Sequence, residues 1–193
     1  EVDLSDRTKA ELLDEMRGSL ATMRASIEAG LDPDIRSVSG LTGGDAAKLS
    51  AFAPKADMGA HMARIVAAAM AVVQVNASMG RICAAPTAGA SGILPAVILG
   101  VAERFNLPEQ TLLDAMLTSS GIGILIDLSA TLSGARGGCQ AECGASAAMS
   151  AAAVVEMMGG TPDQAMHAAA IALKNVMGLV CDPVAGLVEC PCA

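Results

Sequence analysis

Apolar residues return along this chain mostly at helical spacing. Leu12, Met16, Leu20, Met23 and Ile27 recur every three or four positions until Gly30, with charged residues on the opposite face, which predicts an amphipathic surface helix. Thr8 and Glu11 stand ahead of it as a capping-box pair, so the sequence also marks where that helix begins. Residues 58–79 are Ala-rich and lack a polar face of normal width, which predicts a central helix buried nearly all round. The apolar run 93–101 predicts another, with Pro95 tolerated in its first turn. Residues 108–119 and 122–132 predict two helices parted by Gly121 and Gly123. Residues 141–158 predict a further Ala-rich helix, stopped by Gly159 and Gly160. Thr161, Pro162 and Gln164 then supply an N-cap, a first-turn proline and a capping-box partner for a last helix reaching about Met177.

Three glycine-bearing loops interrupt these helices. Residues 37–45 read S-V-S-G-L-T-G-G-D, residues 84–92 read A-A-P-T-A-G-A-S-G, and residues 134–138 deliver Cys139. The tail, residues 178–193, holds two prolines, two glycines and three cysteines and carries little helical logic. With no internal repeat and no low-complexity linker, the pattern predicts one all-α domain of about seven or eight helices, with Ala-rich buried helices and glycine-rich loops for a site.

Composition narrows the picture. Of 193 residues, 53% are hydrophobic but only 1% aromatic, Phe52 and Phe105, so the interior must be built from Ala, Leu, Ile, Val and the 12 Met. Ala favours helix, and strands prefer the aromatic and β-branched residues that this chain uses sparingly, so an all-β fold is excluded. The chain is also long enough to enclose a core without disulfides. A net charge of −8, from 12 Lys+Arg against 20 Asp+Glu, with no cluster of cations and no stacking platform, argues against nucleic-acid binding. The mean hydropathy of +0.52 raises a membrane reading. The longest unbroken apolar run, residues 65–73, is about half of the roughly 20 residues a spanning helix needs, so no membrane segment is expected. No basic and then apolar leader opens the sequence, and a reducing cytoplasm is the expected location.

The chemistry-bearing residues are the cysteines at 83, 139, 143, 181, 190 and 192. Cys139 and Cys143 are four apart and would share one face if helical, and Cys190 and Cys192 bracket a proline, but no C-x-x-C zinc spacing occurs. A dispersed set such as Cys139, Cys181 and Cys192 would draw three loops to one point and give an iron-sulfur cluster an incomplete thiolate shell. Inert buried thiols are the other reading, and spacing leaves both open.

Several long motifs carry a resemblance. G-G-C-Q-A-E at residues 137–142, G-L-V-C-D-P-V-A-G-L-V-E at 178–189, and P-C at Pro191 and Cys192 are similar to the α chain of iron-sulfur-dependent bacterial L-serine dehydratases. S-G-L-T-G-G-D-A at 39–46 and N-A-S-M-G-R-I-C-A-A-P-T-A-G-A-S-G at 76–92 resemble the same family, so the likeness runs along almost the whole chain. It implies a lyase converting L-serine to pyruvate and ammonia with a [4Fe-4S] cluster, held in the family by three cysteines that fall here on Cys139, Cys181 and Cys192. Hydroxide is a poor leaving group, and an iron with an open coordination position supplies the Lewis acid that the β-hydroxyl needs. A fourth permanent thiolate would block that position.

The resemblance also bears on the substrate. The loop 86–92 stands directly before a helix, and its backbone N–H groups with the hydroxyls of Thr87 and Ser91 suit the serine carboxylate, which makes Thr87, Gly89, Ser91 and Gly92 candidate substrate-binding residues. Taken alone, the same residues read as an N-cap. Asn175 would hydrogen-bond substrate or cluster sulfur, or else be a satisfied amide. Asp45 and Asp182 would orient loops or bind the ammonium, or serve as turn residues. His61, His167 and Lys174 receive no role, and the base that removes the α-proton is not assigned. Expected partners are L-serine, a serine dehydratase β chain or domain, and other copies in an oligomer.

The chain departs from the family in ending one residue after Cys192, where the family's α region continues, so a chain truncated at its C-terminus is expected and the isolated stretch should be poorly active. Cys143 and Cys190 stand where the family pattern has ordinary apolar residues. Two rivals remain: a non-catalytic helical assembly module with inert or zinc-binding cysteines, and a related lyase that removes sulfide from cysteine.

Overall fold

In a computed structural model, residues 7–177 are described. They form eight α-helices and one 3₁₀ turn, with no strand among the described residues, in line with the all-α expectation. The helices are α1 Lys9–Gly30, α2 Asp45–Phe52, α3 Ala60–Ala77, α4 Ile93–Phe105, α5 Glu109–Ser129, α6 Gly134–Gly137, α7 Cys139–Met157 and α8 Pro162–Asn175. Both capping boxes form. The Thr8 hydroxyl accepts from the Glu11 backbone N–H, that of Thr161 accepts from Gln164, and each acidic or amide partner reaches back to the cap.

α7 is the hub. It packs against α4, α5 and α8, while α3 packs against α1, α2 and α4. The core joins Leu20 and Met23 of α1, Leu94 and Ile98 of α4, Leu112, Leu113 and Met116 of α5, and Ala165 and Ala169 of α8 around the α7 stripe Ala148, Met149, Ala152, Ala153 and Met157. Small residues on α7 let the long side chains of its neighbours close over it. Both phenylalanines are exposed, so the interior is aliphatic throughout the described residues.

Three sequence expectations need correction. α5 is one helix through Gly121 and Gly123, not two. Gly123 lies against Met149, where an added Cβ would meet Sδ at 3.2 Å, and this packing on α7 outweighs the roughly 1 kcal/mol that an internal glycine costs relative to alanine. α3 is not buried all round. Its buried stripe is Ala63, Ala67, Ala71, Val72 and Val75, whereas Met62 and Val66 are exposed, because its neighbours cover only one side. The segment Gly134–Gly137 is a single helical turn where a loop was expected, and α2 follows the first glycine loop without any clear periodicity to announce it.

By length and mean hydropathy, α3 and α5 reach the range of a membrane-crossing segment. Both instead contribute buried residues to the helical packing, Ala67 and Val72 from α3 and Leu112 and Met116 from α5. The tail with Cys181, Asp182, Cys190 and Cys192 lies outside the described residues.

Candidate active site

Cys139 occupies the first position of α7, and the backbone puts it there through Gly138. That residue has φ +73° and ψ −178°, a conformation open essentially to glycine alone, and it turns the chain from α6 directly into α7. The Cys139 thiol is half-buried and is not in a disulfide. On the helical repeat from it stand Glu142, Cys143 and Ser146, so one α7 face carries all four side chains.

The loop that follows Ala84 closes over this face. Ser146, fully buried, donates its hydroxyl hydrogen to the Ala90 carbonyl at 3.2 Å, joining α7 to the loop across 56 positions of sequence. Glu142 lies against Gly89. A Cβ added at Gly89 would come within 3.1 Å of Glu142 Oε2, and one added at Gly134 within 2.5 Å of the same oxygen. The carboxylate thus sits between two glycine segments that are 45 positions apart, and a side chain on either would have to displace it. At the other flank α8 reaches α7: a Cβ at Gly144 would be 3.0 Å from Leu173 Cδ1 and 2.8 Å from Val176 Cγ2. Met177, four positions before Cys181 in the sequence, stands at this end of α8.

The loop residues fare differently from one another. Thr87 Oγ1 is buried with no hydrogen-bond partner among the described residues. Gly89 is exposed on one side and faces Glu142 on the other. Ser91 is fully buried and its hydroxyl donates to the Ala88 carbonyl at 2.7 Å, tightening the turn into α4. The backbone of Gly92 is pressed onto the Ala69 carbonyl of α3, so its missing side chain serves helix packing. Asn175 is exposed and its amide donates one hydrogen bond to the Ile171 carbonyl at 2.7 Å. Asp45 is the first residue of α2, behind the N-cap Gly44, and pairs with Lys48 at 2.9 Å. His61 lines an open groove of about 490 Å³ between α1, α3 and α4, to which none of the loop, Cys139 or Glu142 contributes.

Electrostatics separate the thiols. Burial pushes the Cys143 thiol above its ordinary range, and the neighbouring Cys139 thiol and Glu142 carboxylate push in the same direction. Burial also raises Cys83, against the opposing hydrogen bond from Ser19. Among the described residues no three His, Cys, Asp or Glu side chains converge on a metal site; two of the three candidate ligands lie outside those residues. Glu142 and Ser146 were not singled out from sequence. Their signal was there in the helical spacing 139, 142, 146, but only contact with a loop 50 or so positions away gives that spacing a meaning.

The arrangement is a helical scaffold that presents a thiol, a carboxylate and a glycine-rich turn at one helix end, a layout for a small charged ligand. Comparison with known proteins agrees in class. The sequence pattern of the family described as "Serine dehydratase alpha chain" matches residues 1–193, and the chain belongs to that family. It is 45% identical to the "Probable L-serine dehydratase, alpha chain" of Bacillus subtilis over 194 aligned positions, 100% of this chain and 64% of that protein. It is 55% identical to the "L-serine dehydratase, alpha chain" of Peptoniphilus asaccharolyticus over 138 positions, 72% of this chain and 47% of the relative. The "L-serine dehydratase TdcG" of Escherichia coli is 45% identical over 126 positions, 64% of this chain and 28% of the relative. The chain therefore spans between about half and two thirds of the α-chain relatives.

Proposed function

We propose that this chain is the catalytic part of an L-serine ammonia-lyase, releasing pyruvate and ammonia from L-serine with a [4Fe-4S] cluster held by Cys139, Cys181 and Cys192. The observation that carries the reading is the position of Cys139, in the first turn of α7 and on the helix face that the loop 86–92 covers. The donor chemistry fits. A half-buried thiol at a helix N-terminus favours an anionic ligand set, and thiolates are the normal ligands of such clusters. When bound, the cluster would supply a Lewis acid for the departing β-hydroxyl.

The protein's own residues do the rest. The loop 86–92 would receive the substrate carboxylate, with Thr87 Oγ1 as the side-chain donor that has no other partner among the described residues. Ser91 and Gly92 would act by fixing the loop's shape, because the Ser91 hydroxyl is engaged with Ala88 and the Gly92 backbone is packed on α3. Ser146 would hold the loop in register with α7. After loss of water the enamine product tautomerises and hydrolyses without protein help. A β chain or domain as partner, assembly into an oligomer and a cytoplasmic location complete the proposal. The exposed apolar side chains Leu125 and Leu128 near the end of α5 support a covered face.

The test is an anaerobic reconstitution of the full α chain with its β partner. Iron and sulfide in stoichiometric amounts, broad visible absorption and pyruvate release from serine are expected. Alanine at Cys139, Cys181 or Cys192 should abolish the iron, and alanine at Cys143 should not. A colourless protein that holds zinc or no metal would reject the reading in favour of an assembly module. Faster turnover of cysteine than of serine would move it to sulfide elimination.

A further inference from the structure

Glu142 is placed with care and given no task by the fold. Its carboxylate lies beside Gly89 and Gly134, where an added Cβ would meet its Oε2 at 3.1 and 2.5 Å. The ion pairs among the described residues join Arg7 to Glu15, Arg17 to Asp14 and Lys48 to Asp45, and none includes Glu142. No hydrogen bond to its side chain is formed among those residues either. It is half-buried, so leaving the charge without a counter-ion is a cost that a bound cation would remove. Two residues before Gly89, Thr87 Oγ1 is buried and also lacks a partner among the described residues. One short loop therefore carries an unfilled hydrogen-bonding group and abuts an unfilled negative charge.

An α-amino acid matches that pair of vacancies. Its carboxylate and its ammonium are attached to the same carbon, so a loop that accepts one brings the other within a few ångströms. We propose that Glu142 binds the α-ammonium group of the substrate and is the residue that selects amino acids over carboxylic acids lacking the amine. The inference rests on the serine reading above and adds to it the group that recognises the nitrogen. The glycines at 89 and 134 acquire a reason as well: they leave the carboxylate exposed to a ligand where a side chain would cover it.

The experiment uses the full α chain with its β partner, loaded with iron anaerobically, as wild type and as Glu142→Gln, which keeps shape and removes charge. KM for L-serine should rise about 10- to 100-fold, the scale of one lost charge-assisted hydrogen bond. Competitive inhibition by 3-hydroxypropionate, which has the carboxylate and hydroxyl but no amine, should be unchanged. Calorimetric binding of L-serine should weaken by the same factor as KM, and iron content should match the wild type. An unchanged KM, equal weakening of both ligands, or loss of iron in Glu142→Gln would each overturn the inference while wild-type turnover leaves the dehydratase reading standing. A wild type that releases no pyruvate would bring down that reading and this inference with it.

Discussion

The two ends of α7 differ in composition and in surroundings. From Gly144 onward Ala145, Ala148, Met149, Ala152, Ala153 and Met157 are enclosed by α4, α5 and α8, whereas Cys139, Gln140, Ala141, Glu142 and Cys143 are only half-buried and face loops. Buried alanines allow close approach of backbones, so the far part of the helix is fixed by packing along its buried stripe. The near turn is fixed by being an extension of that rigid rod. Precision at a site can thus come from a core one or two turns away, with few contacts at the site itself.

That contrast can be broken from either end. The largest effect should come from the enclosed part: Met149→Ala leaves a cavity between α5 and α7 and should cost about 2–5 kcal/mol in denaturant unfolding, with a lower Tm. At the boundary, Ser146→Ala removes the only side-chain hydrogen bond described between α7 and the loop 84–92, and should cost about 1 kcal/mol while speeding amide exchange at residues 88–91. In the open turn, Glu142→Gln should change stability by less than about 0.5 kcal/mol, since the residue has no ion-pair partner to lose among the described residues; a destabilisation as large as that of Met149→Ala would erase the distinction between the two ends.

The smallest effect concerns a thiol away from α7. Cys83 packs beside the core, and burial raises its titration against the hydrogen bond from Ser19. A raised native value means that the folded protein holds this proton more tightly than the unfolded chain. The resulting stability is fully present below the ordinary thiol range and is lost as pH rises through the native value. Alkylation of Cys83 should accordingly begin at higher pH than in the unfolded chain, and Ser19→Ala should move it higher still. The profile gives the part of thiol behaviour that burial alone produces, against which Cys143 can be judged.

The helices with strong local signals were legible without coordinates. α1 and α8 carry capping boxes and a regular apolar spacing, so their starts were fixed by residues three apart. α5 was not, because Gly121 and Gly123 weaken helix locally and only the Met149 contact shows why the helix continues. The same division holds for the site. Motifs singled out Cys139 and the loop from Thr87 to Gly92, but not the engagement of Ser91 with Ala88, the packing of Gly92 on α3 or the seat of Glu142.

By itself the sequence determined the all-α class, the aliphatic core, the caps and the family, since each is written in residues a few positions apart or in uninterrupted motifs. The tertiary structure alone decided which side of α3 is covered, that α5 runs through its glycines, and that Glu142 lies between Gly89 and Gly134. Those outcomes depend on contacts between segments tens of residues apart, and steric fit between such segments leaves no periodic trace in either one.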